Sequence, residues 1–470
     1  MARSSLSPFP FWELELHSIA KGKEIVSFYE KGKIWKKEEA EKVYEECRGK
    51  DAIVDDLEEK KQRLLPPTPF DTTSLQTEAY KCFGFSPTQT LSIAESLYTS
   101  GYISYPRTSS QKLPEKIGYK AILSALKKLP EFAREVEELL SKKQLKPREG
   151  SKEDPAHPAI YPTAQVPDTS KLNQQERKLY ELIVRRFIAV FADEALRNVI
   201  KIVLRIKEHR FVASGYKTIE KGWLKFYPFT QVKEVELPDV KVGEVLKTKE
   251  LLMLEKQTQP PERYTQASIL KEMEKHNLGT KATRAQILQT LYDRGYIVGK
   301  SIQVTKFGLA VVEALEKYCP DIIDVNLTAS FEEEMERVRE RKKKMDKVID
   351  EAKRVLEKIL KEFKNNEEGI GKFLAERYIE YVRESRIVGK CPECGNDLVV
   401  IVSKSSGKRF IGCSNYKNGC RFSSPLPQKG NVYLTEKKCK ECGSPMVMIK
   451  YKGRRPFLSC INMKCKTRSA

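Results

Sequence analysis

The sequence predicts a multidomain α+β protein. A β-rich domain is interrupted by a helical insertion and followed by a helical region and two small metal-stapled ribbons. Three observations predict it. Alternating apolar residues mark strands at 10–16 and 25–29, and a strand pair recurs at 199–206 and 210–215. Between these blocks the apolar period is helical. Eight of the eleven cysteines fall after residue 390, in two sets of four.

A chain of 470 residues has room for roughly three domains of ~150 residues. Lys plus Arg outnumber Asp plus Glu by 86 to 65, a net charge of +21, which favours an anionic polymer as partner. A charged, solvated surface of the kind found in heat-stable proteins accounts for the same excess, and both readings can hold. There is no apolar run of 18 residues, so no membrane-spanning helix is expected, and residues 1–12 lack the layout of a signal peptide. The chain is therefore expected to be cytoplasmic and nucleoid-associated, where cysteines serve metals rather than disulfides.

The elements follow in order. Strand patterns open the chain, a short helix is expected at 37–47, and 52–64 mixes a strand with a charged segment. Pro66, Pro67 and Pro69 mark a boundary. Asp71 to Ser74 offer N-caps for a helix through Phe83, and Ser86-Pro87 starts the next, with proline at the first helical position. Helices are predicted at 117–129, 132–140 and 174–191, with a charged loop at 142–155. Strands are predicted at 223–229 and 250–256, helices at 266–276 and 285–294, and a hairpin at 295–304. Helix, turn, helix, hairpin is the order of a winged-helix unit. Long amphipathic helices follow over 331–363, with the apolar stripe broken at 339–344.

The helix from Pro87 delivers the stretch Gly101-Tyr102-Ile103-Ser104-Tyr105-Pro106-Arg107-Thr108-Ser109-Ser110. A phenol is a poor nucleophile while it keeps its proton. An arginine two residues away can hold a phosphate through two parallel hydrogen bonds, so a Tyr-x-Arg pair can attack a phosphodiester. The same residues also suit a loop tyrosine packed on a helix end. His157, in His-Pro-Ala-Ile-Tyr-Pro-Thr, can donate to a phosphate, carry a proton, or simply occupy a loop. The basic and hydroxyl residues of Thr280-Lys281-Ala282-Thr283-Arg284 sit at a helix start, a place suited to phosphate.

Cys391, Cys394, Cys413 and Cys420 form one four-thiolate set, and Cys439, Cys442, Cys460 and Cys465 the other. Each can close a tetrahedral structural zinc site with no open position for catalysis. Basic and aromatic residues interleave in both ribbons: Lys408, Arg409, Phe410, Tyr416, Arg421 and Phe422, then Tyr451, Arg454, Arg455 and Phe457. Such interleaving suits single-stranded nucleic acid, or supplies the core of a small ribbon.

Together these segments resemble type IA DNA topoisomerases over nearly the whole chain. Tyr102 to Ser110 resembles the active-site signature, His157 to Thr163 a second motif, and Pro260 to Thr265 with 278–297 the later DNA-binding motifs. The resemblance implies a toroid-like core: a β-rich arch (1–67 and 193–258), an inserted helical catalytic domain (68–192), a winged-helix-like DNA-binding region (259–385), and zinc ribbons at 386–428 and 429–470. It implies Tyr105 as nucleophile, Arg107 as phosphate clamp and His157 as a third catalytic group. It implies DNA contacts from Thr108, Ser109, Arg263, Thr280, Lys281, Thr283 and Arg284. The activity implied is ATP-independent cutting, passage and rejoining of single-stranded DNA through a 5′-phosphotyrosine, relaxing negative supercoils. Two structural Zn²⁺ ions and a reaction-supporting Mg²⁺ are implied as well. Members of the family begin with a Toprim domain whose acidic set holds Mg²⁺, and no such set is found in this sequence. The chain is therefore expected to be a C-terminal portion that needs a Toprim domain in cis or in trans, as from a truncated gene, a split gene or a late start. The alternative is a catalytically inactive, single-strand-binding zinc-ribbon protein derived from a topoisomerase.

Overall fold

The computed structural model describes residues 8–451 and 455–468. The chain divides into two compact units, one comprising Met1–Asp293, Val298–Gln303 and Thr328–Glu333, the other the remaining residues.

In the first unit, six strands close a barrel in the order β1-β2-β5-β4-β3-β6. They are β1 (Pro10–Ala20), β2 (Lys23–Tyr29), β3 (Ala52–Leu64), β4 (Ala195–Ile206), β5 (His209–Glu220) and β6 (Val245–Gln257). Two seams, β2 with β5 and β3 with β6, close over two residue pairs each. Alternation along β1 sends Trp12, Leu14, Leu16 and Ala20 inward, where they meet Ile25, Val54, Ile202, Leu204 and Phe211. Helix α1 (Lys37–Cys47) adds Ala40 and Val43 to the same core. β3 and β4 remain paired as far as Leu64↔Ala195, where the chain leaves the barrel and returns to it. The β-rich part is thus interrupted by helices, as the sequence predicts.

The interruption holds α2 (Thr72–Phe83), α3 (Pro87–Thr99), α4 (Tyr119–Leu126), α5 (Ala133–Leu140) and α6 (Gln174–Ala189). Asp71 and Ser74 form a reciprocal capping box on α2, and the Ser86 hydroxyl caps α3 by accepting from Gln89 N–H. A cap of this kind contributes ~1 kcal/mol. The apolar faces of these helices share one core with Phe70, Leu123, Tyr180, Ile183 and Phe187. The Arg186 guanidinium lies 4.2 Å from the Phe70 ring centroid and donates to Thr68 O at 2.8 Å, tying α6 to the segment that leads into α2.

Two sequence expectations change. The helix expected at 117–129 begins as a 3₁₀ turn (Glu115–Ile117) and restarts as α4, because Gly118 has φ 78°. The strand expected at 223–229 is a 3₁₀ turn, Gly222–Lys225. Its aromatics favour strands by propensity, but Trp223, Phe226 and Tyr227 turn into the helical core, and Trp223 Nε1 donates to Leu64 O at 2.9 Å.

Next come α7 (Gln266–Lys275) and α8 (Arg284–Asp293), then the short strands β7 (Ile297–Val298) and β8 (Gln303–Val304). α9 (Lys306–Tyr318) and α10 (Val325–Arg339) precede α11 (Met345–Ser385). The predicted break at 339–344 is the gap between α10 and α11, with Arg341 at φ 59°. In the second unit Phe307 of α9 packs against Tyr378 and Tyr381 of α11, at 5.1 and 5.8 Å between centroids.

Two small sheets end the second unit. The first runs β12-β11-β10-β9, from β9 (Ile387–Lys390), β10 (Asp397–Val402), β11 (Arg409–Cys413) and β12 (Ser423–Pro425). The second is β13 (Asn431–Lys438), β14 (Pro445–Lys450) and β15 (Phe457–Cys460) in sequence order. They share one core through Leu398, Ile411, Leu426, Val447, Ile449 and Ile461.

Candidate active site and metal centres

The Tyr105 segment is set by the end of α3. Gly101 takes φ 78°, Gly101 N–H donates to Tyr98 O, and Tyr102 N–H donates to Leu97 O at 2.9 Å. This closes the helix with a left-handed glycine and satisfies its last carbonyls. A Cβ at Gly101 would also stand 2.8 Å from the Gln165 amide oxygen.

The chain then pairs with the His157 motif. Ser104 N–H donates to Tyr161 O (2.9 Å), Thr163 N–H to Tyr102 O (2.9 Å), and Ile103 bridges to Pro162. The Ser104 hydroxyl donates to Ala159 O at 3.1 Å and accepts from Tyr161 N–H at 3.0 Å. These bonds bring the Tyr105 and His157 rings to 4.6 Å, with Tyr98 edge-on to Tyr105 at 5.2 Å. Tyr105 is half-buried, and its hydroxyl has no hydrogen-bond partner among the described residues.

Arg107 is fixed on two sides. Its Nε and Nη2 meet one Glu95 carboxylate oxygen at 2.7 and 2.6 Å, and Nη1 donates to Ala282 O at 3.2 Å. It borders a cleft of about 560 Å³ lined also by Thr88, Ser92, Glu95, Thr283 and Gln286. Thr108 is fully buried; its hydroxyl donates to His157 O at 3.2 Å and accepts from Ser110 N–H at 3.0 Å. Thr72 reinforces the segment: its hydroxyl donates to Pro106 O (2.7 Å) or Thr108 O (2.9 Å) and accepts from Thr108 N–H (2.8 Å).

Asp154 joins the two motifs to the 280–284 turn. Its side chain is 2% exposed and pairs with Lys281. It also accepts from Ser109 N–H and Oγ, both at 3.1 Å. Burial opposes its ionisation, but the Lys281 ammonium and the Ser109 and Ala156 N–H groups outweigh burial and hold the carboxyl well below the usual range. Thr280 and Thr283 hydroxyls pair at 3.1 Å and shape the turn. Arg284 points inward: burial lowers its guanidinium pKa against the opposing charge of Glu274, and its Nε donates to Leu278 O at 3.1 Å. Arg263 is exposed in the linker before α7.

The structure therefore gathers Tyr105, Arg107, His157, Thr108, Ser109 and Lys281 into one contiguous network. Thr108 and Arg284 are spent on the frame, and Arg263 lies outside the network. Sequence reasoning missed Glu95, Asp154 and Thr72. Glu95 lies twelve residues from Arg107 on the preceding helix and was within reach of inspection. Asp154 sat unmarked in a charged loop.

Each cysteine set is gathered, with all four sulfurs within 4.8 Å of one another. Cys391–Cys420 and Cys394–Cys413 lie at 3.7 and 3.4 Å, and Cys439–Cys465 and Cys442–Cys460 at 3.7 and 3.5 Å. Tetrahedral zinc with bonds of ~2.3 Å separates its sulfurs by roughly 3.8 Å, so both sets fit the ion. Asn396 N–H groups aimed at Cys394 lower its thiol pKa to about 6, and the Thr467 hydroxyl with Cys442 N–H does the same for Cys439. Their partners move the other way, Cys420 despite the Phe422 N–H and Cys460 through burial, each pushed up to about 12 next to the neighbouring sulfurs, so in each set without metal the negative charge gathers on one or two thiolates. Among the described residues, the groups of three or more metal-ligating side chains are these two cysteine sets. In the first ribbon Arg409 is committed to Pro427 O and Gly430 O, whereas Arg421 lies over the exposed Tyr416 ring at 4.5 Å. Phe422, Tyr451 and Phe457 pack on the ribbon core, and Arg454 falls outside the described residues.

A family model described as DNA topoisomerase matches residues 1–350. The chain belongs to the DNA topoisomerase family. A second model, the topoisomerase DNA-binding C4 zinc finger, matches 388–429 and 436–470, so both cysteine sets are zinc ribbons of that kind. The chain is 46% identical to DNA topoisomerase 1 of Pyrococcus horikoshii, over 98% of this chain and 68% of the relative. It is 42% identical to DNA topoisomerase 1 of Methanothermobacter thermautotrophicus, over 97% of this chain and 61% of the relative. The chain thus spans roughly two thirds or less of these topoisomerases. The fold resembles full-length topoisomerase I from Thermotoga maritima, with a TM-score of 0.60 at 23% identity, covering 93% of this chain and 69% of that one. No described helix is long and apolar enough to cross a membrane.

Proposed function

We propose that this chain carries the nucleophile half of a type IA DNA topoisomerase. The Tyr105 oxygen attacks a backbone phosphorus of single-stranded DNA. A tyrosyl–phosphorus bond forms and the bond to the 3′ oxygen breaks, leaving a 5′-phosphotyrosine and a 3′ hydroxyl that takes up a proton. Reversal rejoins the strand after another strand has passed. The phosphoester is conserved on the enzyme throughout, so no ATP is required.

The observation that carries this reading is the half-buried Tyr105 ring packed 4.6 Å from His157, with Arg107 two residues along the chain and held on Glu95. His157, whose ring packs tilted against the phenol with centroids 4.6 Å apart, accepts the phenol proton or donates to the phosphate once DNA is bound. Arg107 holds the phosphate by its planar fork, exchanging part of its Glu95 contact for it. Ser109, Lys281, Thr280, Thr283 and Arg263 guide the strand, and Thr108 and Arg284 hold the frame. Mg²⁺ and the acidic groups that assist the leaving oxygen come from a Toprim module in cis or in trans. A second reading, that the chain alone binds single-stranded DNA without cutting it, is favoured by the Glu95 carboxylate that occupies Arg107.

The test mixes the chain with a Toprim fragment, Mg²⁺ and negatively supercoiled DNA. Relaxation that disappears in Tyr105→Phe is expected. Relaxation that survives the substitution, or none with either protein, contradicts the proposal.

A further inference from the structure

An aromatic and basic surface lies on the barrel, built from residues outside the Tyr105–His157 network. The loop between β2 and α1 reads Lys31-Gly32-Lys33-Ile34-Trp35-Lys36-Lys37. Ile34 is buried and exchanges two backbone hydrogen bonds with Trp12, at 2.8 and 2.9 Å. This anchor leaves its neighbour Trp35 pointing outward, 57% exposed. The Trp35 ring lies 5.8 Å from the Phe11 ring, and the Lys33 ammonium lies 4.5 Å from the same Phe11 centroid. Phe9 is 60% exposed and, two residues from Phe11 on the same strand run, shares its face.

The lysines there are not explained by local stability. Lys36 occupies the N-cap of α1 and makes no side-chain cap bond, where Ser, Thr, Asp or Asn would stabilise the helix. A cation at that end also opposes the helix dipole. Lys31, Lys33 and Lys36 have no ion pair among the described residues. Of the nearby acids, Glu41 pairs with Lys37 at 3.2 Å, Glu30 with Arg210 at 3.7 Å, and Glu13 with Lys256, while Glu38 and Glu39 stand in the first turn of α1 and complement its dipole. The loop itself, residues 31–37, carries four lysines and no acid.

We infer that Trp35, backed by the buried Phe11 ring and flanked by exposed Phe9, with Lys31, Lys33 and Lys36 around it, is a second contact for single-stranded DNA, stacking bases on Trp35 and Phe9 and holding phosphates on the lysines. The inference rests on the reading of this chain as a DNA-binding topoisomerase portion. Charge complementarity selects the occupant, since a protein partner for an exposed aromatic face would not require unpaired lysines. Continuity supports it. Phe9 exchanges hydrogen bonds with Thr258, and the linker from Thr258 reaches Arg263 within five residues, no more than roughly 18 Å of extended chain. A strand guided by Arg263 can thus extend onto the barrel face.

The sequence makes the test clean. Of the three tryptophans, Trp12 and Trp223 are 8% and 7% exposed, so Trp35 alone reports on solvent and stacking. A fluorescein-labelled oligothymidylate is titrated into the full zinc-loaded chain, reading oligonucleotide anisotropy and, with an unlabelled copy, tryptophan emission. Emission is expected to be quenched in step with binding, and the quenching to vanish in Trp35→Phe. Affinity should fall about tenfold in Trp35→Ala, and Lys33→Ala should lower the salt slope by about 0.7. Binding by anisotropy with unchanged Trp35 emission overturns the inference and leaves the proposed function standing. No binding at all overturns both.

Discussion

The Tyr105 region and the zinc ribbons solve the same problem, holding a few reactive side chains in register, by opposite means. Around Tyr105 the frame is a large apolar core, a glycine-closed helix end and hydrogen bonds between segments far apart in sequence, such as Thr108 to His157. In the ribbons the core is small, and successive ligands lie three to nineteen positions apart in the sequence. One site is built by folding and the other by coordination. The first should tolerate chelators and suffer from single hydrogen-bond losses, and the second should behave the other way round.

Removing zinc is the largest expected perturbation. Structural zinc is worth ~10 kcal/mol or more in ribbon-like modules, so chelation should unfold residues 388–468 while the barrel and its insertion keep their thermal transition. Calorimetry with metal analysis checks this, and close to two zinc ions per chain should be released. Next in size, Arg107→Ala with the Toprim fragment present should slow cleavage by about 10²–10³-fold, because a charge-matched phosphate donor is lost, with little change in Tm. Thr72→Val removes a buried hydroxyl serving Pro106 O, Thr108 O and Thr108 N–H, and should cost ~1–3 kcal/mol by urea unfolding.

Asp154 gives a pH-dependent counterpart. Its carboxyl pKa is depressed in the folded chain, so its stabilisation is complete above the unfolded value near ~3.9 and is lost as pH falls below it. Asp154→Asn should therefore be less stable than the parent at pH 7 and approach it towards pH 2. A gap that persists in acid would break the assignment. The smallest effect is expected at Arg263: the exposed side chain makes its alanine variant lose only a few-fold in oligonucleotide affinity, with a salt slope shallower by about 0.7.

The same contrast explains what could be read in advance. The cysteine spacings named the ribbons because tetrahedral coordination constrains local sequence. The Ser86-Pro87 helix start was legible for a similar reason, since capping acts over three residues. The juxtaposition of Tyr105 with His157 was not legible from spacing, because pairing of residues 102–104 with 161–163 depends on the tertiary fold. Asp154 gave no local signal; its partners are Ser109 and Lys281. The turn at Trp223 was misread because aromatic propensity favours a strand when the buried neighbour, Leu64, cannot be seen.

The most direct test of the account is to trap the cleavage intermediate. The chain, a Toprim fragment and Mg²⁺ are incubated with a single-stranded oligonucleotide, denatured and digested, and the peptides are sequenced by mass spectrometry. A 5′-phosphodeoxynucleotide on Tyr105, absent from Tyr105→Phe, is the predicted result. An adduct on another residue, or one that persists in Tyr105→Phe, would contradict it.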